Sequence, residues 1–376
     1  MANQICEMLG IEFPILAFTH CRDVVAAVTK AGGLGVLGGV GHSPEALEID
    51  LAWIEEETGG KPYGVDLVIP LKYLGQEDGG FDRQRTEALI PDEHQAFMDD
   101  IMERYEVPDL PPRPDKPTTT GLSFTHNRTM PLVDIALAHD IALIANALGP
   151  PGPELVERAH ERGVKVAALA GKKSHAVRHA AAGADIIIAQ GYEAGGHTGD
   201  VASMVLVPEV VDAVAPVPVL AAGGIGRGRQ MAAAMALGAE GVWCGSVWLT
   251  TEESEVVPTI KDKFVAATSS DTTRSRSMTG KPARMLKSAW TQEWERGDTP
   301  DPLPMPVQSQ LVARPQARIR NYAHASHGAA QLSQYFVGQV VGQADTVRPA
   351  GRVVMDIVEE FVDTVTALND RMGEMG

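Results

Sequence analysis

The chain has 376 residues, 44% of them hydrophobic and 22% charged, which is enough apolar material for a large globular core. Its 49 acidic and 32 basic residues give a formal charge of −17. That balance argues against nucleic acid and anionic membrane surfaces as partners, while a locally positive site could still take a small anion. Cys6, Cys21 and Cys244 form no C-x-x-C pair and read as buried thiols of a reducing compartment. The N-terminus "MANQICEMLGIEF" lacks the long apolar run of a signal peptide, and no stretch approaches the ~18 apolar residues of a membrane helix. The expected location is the cytoplasm.

Short apolar runs alternate with helical patterns along the chain. "FPILAF" (13–18) reads as a strand, followed by the amphipathic helix "RDVVAAVTKAGG". "GLGVLGG" (33–39) comes next, then a helix opened by Ser43 as N-cap with Pro44 in its first turn. "YGVDLVI" (63–69), "IALIAN" (141–146), "VKVAALA" (164–170), "DIIIAQ" (185–190), "VPVLAAGG" (217–224) and "GVWCGSVWL" (241–249) complete eight candidate strands. Continuous apolar strands separated by helices indicate a parallel sheet covered on its outside. Eight such units predict an α/β fold, a (β/α)8 TIM barrel, with an open doubly wound sheet as the alternative.

Two segments break the rhythm. Residues 71–125 read as an insertion after the third strand, with a charged helix "PDEHQAFMDDIMERY" and a proline-stiffened linker, and are a candidate lid. Residues 265–329 lose the alternation and are expected to form a small, mainly helical inserted domain. The barrel then comprises 1–264 and 330–376.

Three glycine-rich places bear on function. "GLGVLG" matches G-x-G-x-x-G, but its glycines lie inside a strand, not between strand and helix as a dinucleotide fingerprint requires. In "VLAAGGIGRGRQ" a strand ends at Ala222, and Gly223 and Gly224 lead towards a helix. That order suits a phosphate cradle of backbone amides. Gly245 and Ser246 follow the eighth strand, and the loops after strands seven and eight are the usual phosphate site of such barrels. Besides these three, "QGYEAGGHTG" (190–199) follows strand six and surrounds His197 with four glycines. Its place on the catalytic face makes His197 a candidate catalytic residue. His175 with His179, and "HASH" at 324–327, lack the spacing and partners of a metal site, so no metal is expected. Lys172 and Lys173, just after strand five, are the alternative chemistry: a Schiff-base lysine in a flavin-free lyase.

"AAVTKAGGLGVLGG", "AGADIIIAQGYEAGGHTG", "PVLAAGGIGRGRQMAAAMALGAEGVWCGSVWL", "SMTGKPARMLKS" and "FVGQVVGQADTVRPAG" together resemble the nitronate monooxygenases, formerly 2-nitropropane dioxygenases. Relatives of that family include flavin-dependent enoyl-acyl-carrier-protein and acyl-CoA reductases. The resemblance spans most of the chain outside 71–125. It implies an FMN-binding barrel that oxidises alkyl nitronates with O2 to carbonyl compounds and nitrite. The rival within the same chemistry is reduction of an enoyl thioester by NAD(P)H.

The resemblance places Gln190 beside the flavin ring or ribityl chain, and Gly195 and Gly196 against the flavin. It places Ala222, Gly223 and Gly224 on one side of the phosphate, and Gly245 and Ser246 on the other. His197 matches the family's active-site histidine. Asp66 stands where asparagine is usual, and a carboxylate cannot donate a hydrogen bond unless protonated. The first strand ends "LAFTHCRD" in place of the family's Ala-Pro-Met, which puts Phe18 at the flavin and makes His20 a second candidate catalytic histidine. The partners implied are a small-molecule substrate with O2 or NAD(P)H. If the chain associates with itself, a homodimer is expected.

Overall fold

The computed structural model describes residues 3–69, 83–111 and 126–373. Eight strands form a closed parallel barrel, in which each strand pairs with the next and the last returns to the first. They are β1 (Ile15–Thr19), β2 (Leu34–Gly38), β3 (Tyr63–Leu67), β4 (Ile141–Asn146), β5 (Lys165–Ala170), β6 (Ile186–Gln190), β8 (Val219–Ala222) and β9 (Gly241–Cys244). A two-residue strand between them in sequence, β7 (Gly196–His197), lies outside the barrel and belongs to a second sheet. The expected (β/α)8 barrel is the observed fold.

Side chains of alternate barrel residues fill the interior. Leu16, Val36, Leu143, Ala145, Ala167, Ile186, Ile188, Leu220, Ala222 and Trp243 form one cluster there. The N-terminal helix Gln4–Leu9 closes the lower end, adding Ile5, Cys6 and Leu9 to the same cluster. Outer helices cover the other face. Ser43 caps helix Pro44–Thr58 as expected, its hydroxyl accepting from the amide of Ala46 at 3.2 Å.

The eighth strand is shorter than its apolar run predicts. Residues 241–249 were expected to be extended throughout, but the strand stops at Cys244 and a 3₁₀ turn covers Ser246–Thr250. The indole of Trp248 folds back and donates to the carbonyl of Cys244 at 2.7 Å, which ends the strand.

The stretch 265–329 is not purely helical. Within it, β10 (Thr272–Ser275) and β11 (Ala283–Leu286) form an antiparallel pair, and β11 also pairs with β7. Helices Ala289–Glu295 and Val307–Tyr322 follow. Helix Asp92–Arg104 shares a core with them, in which Met98, Ile101 and Met102 meet Trp290, Trp294 and Leu311. Glu293 joins the two stretches by accepting a bidentate pair of hydrogen bonds from Arg104 at 2.9 and 2.8 Å. The second core therefore draws on both unusual segments of the sequence. The remainder of the candidate lid, residues 71–82 and 112–125, lies outside the described residues. The long helix Ala350–Gly373 returns to the barrel and packs on helix Gly228–Ala236 so closely that a Cβ on Gly228 would lie 2.2 Å from the carbonyl oxygen of Ile357.

Candidate active site

Residues paired across parallel strands point to the same face of the sheet. Asp66 pairs with Gly38 and with Ala145, and Ala145 faces the barrel interior, so Asp66 does too. Gln190 pairs with Ala222, another interior residue. Phe18 packs against the interior cluster, with its ring stacked 6.1 Å from that of Trp243. Phe18, Asp66, Gln190 and Ala222 thus make one layer at the C-terminal mouth, and Gly245 follows two residues beyond Trp243. His20 sits exposed above them, edge-on to Phe18 at 5.2 Å, with Nδ1 3.0 Å from the carbonyl oxygen of Gly38.

The ends of β8 and β9 carry free donors. Gly223 and Gly224 have φ of 98° and 70°, a left-handed turn that glycine adopts without strain. Among the described residues their amides find no acceptor, and neither do those of Gly245 and Ser246. The hydroxyl of Ser246 is engaged, accepting from the amide of Gly338 at 2.7 Å. Two pairs of backbone donors without partners at adjacent strand ends suit an anion.

The loop after β6 is pinned from several sides. Arg284 on β11 is 2% exposed and donates twice to the carbonyl of Tyr192, at 3.2 and 3.1 Å. Its guanidinium also lies 4.5 Å over the Tyr192 ring. The carboxylate of Glu193 accepts from the amide and the hydroxyl of Ser203. Gly195 has a cause within the protein: a Cβ there would lie 2.8 Å from the backbone of Val337 and Gly338. Gly196 has φ of 72°, and a Cβ on it would meet nothing.

His197 follows on β7, paired with Ala283. Its Nδ1 lies 3.3 Å from the carbonyl oxygen of Pro282, an acceptor only, so Nδ1 carries the proton and Nε2 is left with a free lone pair. Phe336 stands 6.5 Å away, ring to ring. The imidazole opens to solvent on one side, yet the protein around it desolvates it enough to lower its pKa. The Pro282 contact opposes that shift, and Lys281 nearby adds to it. Asp66 moves the other way. Its Oδ2 is buried with no partner, and burial holds its pKa well above the ordinary carboxylate value.

Sequence reasoning did not single out Lys281, Pro282, Arg284 or Phe336. All four reach the site through the second sheet or the segment after it, whose pairing with β7 leaves no periodic signal. The lysines of the lyase alternative, Lys172 and Lys173, are exposed at the start of helix Lys173–Ala181, where nothing desolvates an amine for Schiff-base chemistry. His179 is buried and bound to the carbonyl of Leu169 at 3.0 Å, a core role. No group of three or more metal-ligating side chains converges among the described residues.

Residues 3–360 match the family model described as nitronate monooxygenase. The chain belongs to the nitronate monooxygenase family. It is 64% identical to "Putative monooxygenase Rv1533" of Mycobacterium tuberculosis, over 98% of each chain. It is 28% identical to a Staphylococcus aureus "Probable nitronate monooxygenase", over 96% of this chain and 97% of the relative. Among solved structures, nitroalkane oxidase from Streptomyces ansochromogenes is 26% identical and superposes with a TM-score of 0.79, covering 97% of this chain and all (100%) of that one. FabK from Thermotoga maritima is 27% identical with a TM-score of 0.72, covering 99% of both chains. As a member of this family the protein is an oxidoreductase, and a flavin enzyme. No helix among the described residues is long and apolar enough to cross a membrane.

Proposed function

We propose that the protein binds FMN at the barrel mouth and oxidises alkyl nitronates with O2 to carbonyl compounds and nitrite. The residues present fit the cofactor. The unpaired amides of Gly223, Gly224, Gly245 and Ser246 would take its phosphate. Phe18, Asp66, Gln190 and Ala222 would line the ring system from below, with Gly195 and Gly196 at its side. When bound, the flavin supplies the redox chemistry, and the protein supplies orientation and electrostatics.

The observation that carries this reading is His197. Its Nδ1 lies against the Pro282 carbonyl, its Nε2 has no partner among the described residues, and the protein around it desolvates the ring. Its lowered pKa keeps the ring neutral at neutral pH, as a general base requires. With a nitroalkane, Nε2 takes the α-proton. With a preformed nitronate no proton need move, and Lys281 draws the anion. His20, fixed over Gly38, is the second side chain able to reach a substrate at this face.

The likeness to FabK favours one alternative, reduction of an enoyl thioester by NAD(P)H on the same barrel. The two separate in one assay. Protein reconstituted with FMN is incubated in air with propyl-2-nitronate, or with an enoyl-CoA and NAD(P)H. Nitrite released from the first supports the proposal. NAD(P)H consumed only with the second, and no nitrite, overturns it.

A further inference from the structure

Asp66 lies in the otherwise apolar strand "YGVDL", points into the barrel and is 2% exposed. Its Oδ2 has no water access and no partner among the described residues. The neighbouring strands, "LGVLG" and "IALIAN", hold no titratable residue. On the outer face of β3, helix Pro44–Thr58 presents Leu47, Leu51 and Ile54, and the helix before β4 presents Val133. The charged groups there, Glu48 and Glu55, pair with His139 outside the barrel. At the upper end of β2 the titratable group is His20, whose Nδ1 is occupied by the Gly38 carbonyl. Among the described residues no cation compensates a carboxylate at this position, and burial raises its pKa.

A protonated carboxyl has one O–H donor and one carbonyl acceptor, as an asparagine amide has N–H donors and a carbonyl. We infer that Asp66 serves the bound flavin as a neutral carboxylic acid, donating a hydrogen bond from its hydroxyl to an acceptor on the ring system. The inference rests on the flavin reading of the barrel mouth. It accounts for an aspartate where the family resemblance leads one to expect asparagine. Ionisation would replace the donor with a negative charge against the ring, so flavin affinity must fall as the pH rises through the Asp66 pKa.

Two readouts test this. Infrared difference spectra of the apoprotein at pH 7 should show a protonated-carboxyl carbonyl band in the wild type that is absent in Asp66→Asn. FMN titration followed by fluorescence should give Asp66→Asn an affinity within about threefold of wild type at pH 7, and Asp66→Leu one about tenfold weaker, the value of one lost hydrogen bond. Wild-type affinity should weaken in alkali while that of Asp66→Asn stays flat. Absence of the band, or a flat wild-type profile, overturns the inference even if Asp66→Leu does not fold. Equal binding by Asp66→Leu also overturns it and leaves the flavin reading standing. A wild type that keeps the band but binds no flavin overturns both.

Discussion

The imidazole Nδ1 of His197 and the carbonyl oxygen of Pro282 lie 3.3 Å apart across 85 residues of sequence. The pairing of β7 with β11 holds them there. That contact selects the tautomer with Nε2 free, and it ties the candidate base to the second sheet instead of to the barrel alone.

Replacing His197 with alanine should lower turnover of a nitroalkane by about 10²- to 10⁴-fold, the usual worth of a general base. FMN affinity should hold, because the proposed phosphate donors lie on other loops. In the wild type, kcat/KM should fall in acid as Nε2 takes a proton. The midpoint should lie below the ordinary histidine value of about 6.5, since burial lowers the pKa. A pH–rate profile in both proteins checks this.

Arg284→Gln should loosen the loop that carries His197. It removes two hydrogen bonds to the carbonyl of Tyr192 and one to the hydroxyl of Thr272. The expected cost is about 1.5–3 kcal/mol of stability, read from urea unfolding. Turnover should drop more than FMN affinity does. Arg284→Lys should not restore it, because an ammonium cannot reproduce the fork geometry.

Asp66 should make the apoprotein less stable as the pH rises. The unfolded chain releases this proton near pH 3.9, whereas the folded chain retains it because the pKa is raised. The folded state then binds more protons, and stability falls by about 1.4 kcal/mol per pH unit until the buried carboxyl itself ionises. Asp66→Asn removes that slope. Comparing unfolding free energies of the two proteins from pH 4 upwards isolates it.

Glu293 should act in the opposite sense. Hydrogen bonds from Arg104, with help from Arg296 and Tyr105, hold its pKa down to about 2 despite burial. Its stabilisation is complete above the unfolded value of about 4.3 and disappears as the pH falls towards the folded one. Glu293→Gln should cost about 2 kcal/mol at pH 7 and abolish that acid dependence. Thermal melts between pH 2 and pH 7 read both effects.

Most of the barrel was legible because buried parallel strands are apolar along their whole length. "IALIAN" and "DIIIAQ" needed no tertiary information, and Ser43-Pro44 announced its helix through local chemistry. What stayed hidden depends on distant partners. β7 is two residues long, and only its partner strand Ala283–Leu286 makes it a strand. The hairpin that supplies Arg284 was read as helix and loop because its polar residues do not alternate cleanly. β9 ends early through the Trp248 indole, which no propensity anticipates. The glycines around His197 were visible, but not their cause at Gly195, where the backbone of Val337 and Gly338 takes the space a Cβ would need. Helix Asp92–Arg104 was correctly placed in sequence, yet its packing on Trp290 and Trp294 could only be seen in three dimensions.

The central claim is that the flavin-loaded protein takes electrons directly from a nitronate. Anaerobic stopped-flow mixing with propyl-2-nitronate tests it most directly. The account predicts rapid bleaching of the flavin absorbance and recovery of colour on admitting O2; His197→Ala, with the flavin still bound, should keep both events with the preformed nitronate and lose bleaching by the neutral nitroalkane. Bleaching by NAD(P)H alone, with the nitronate inert, would contradict it.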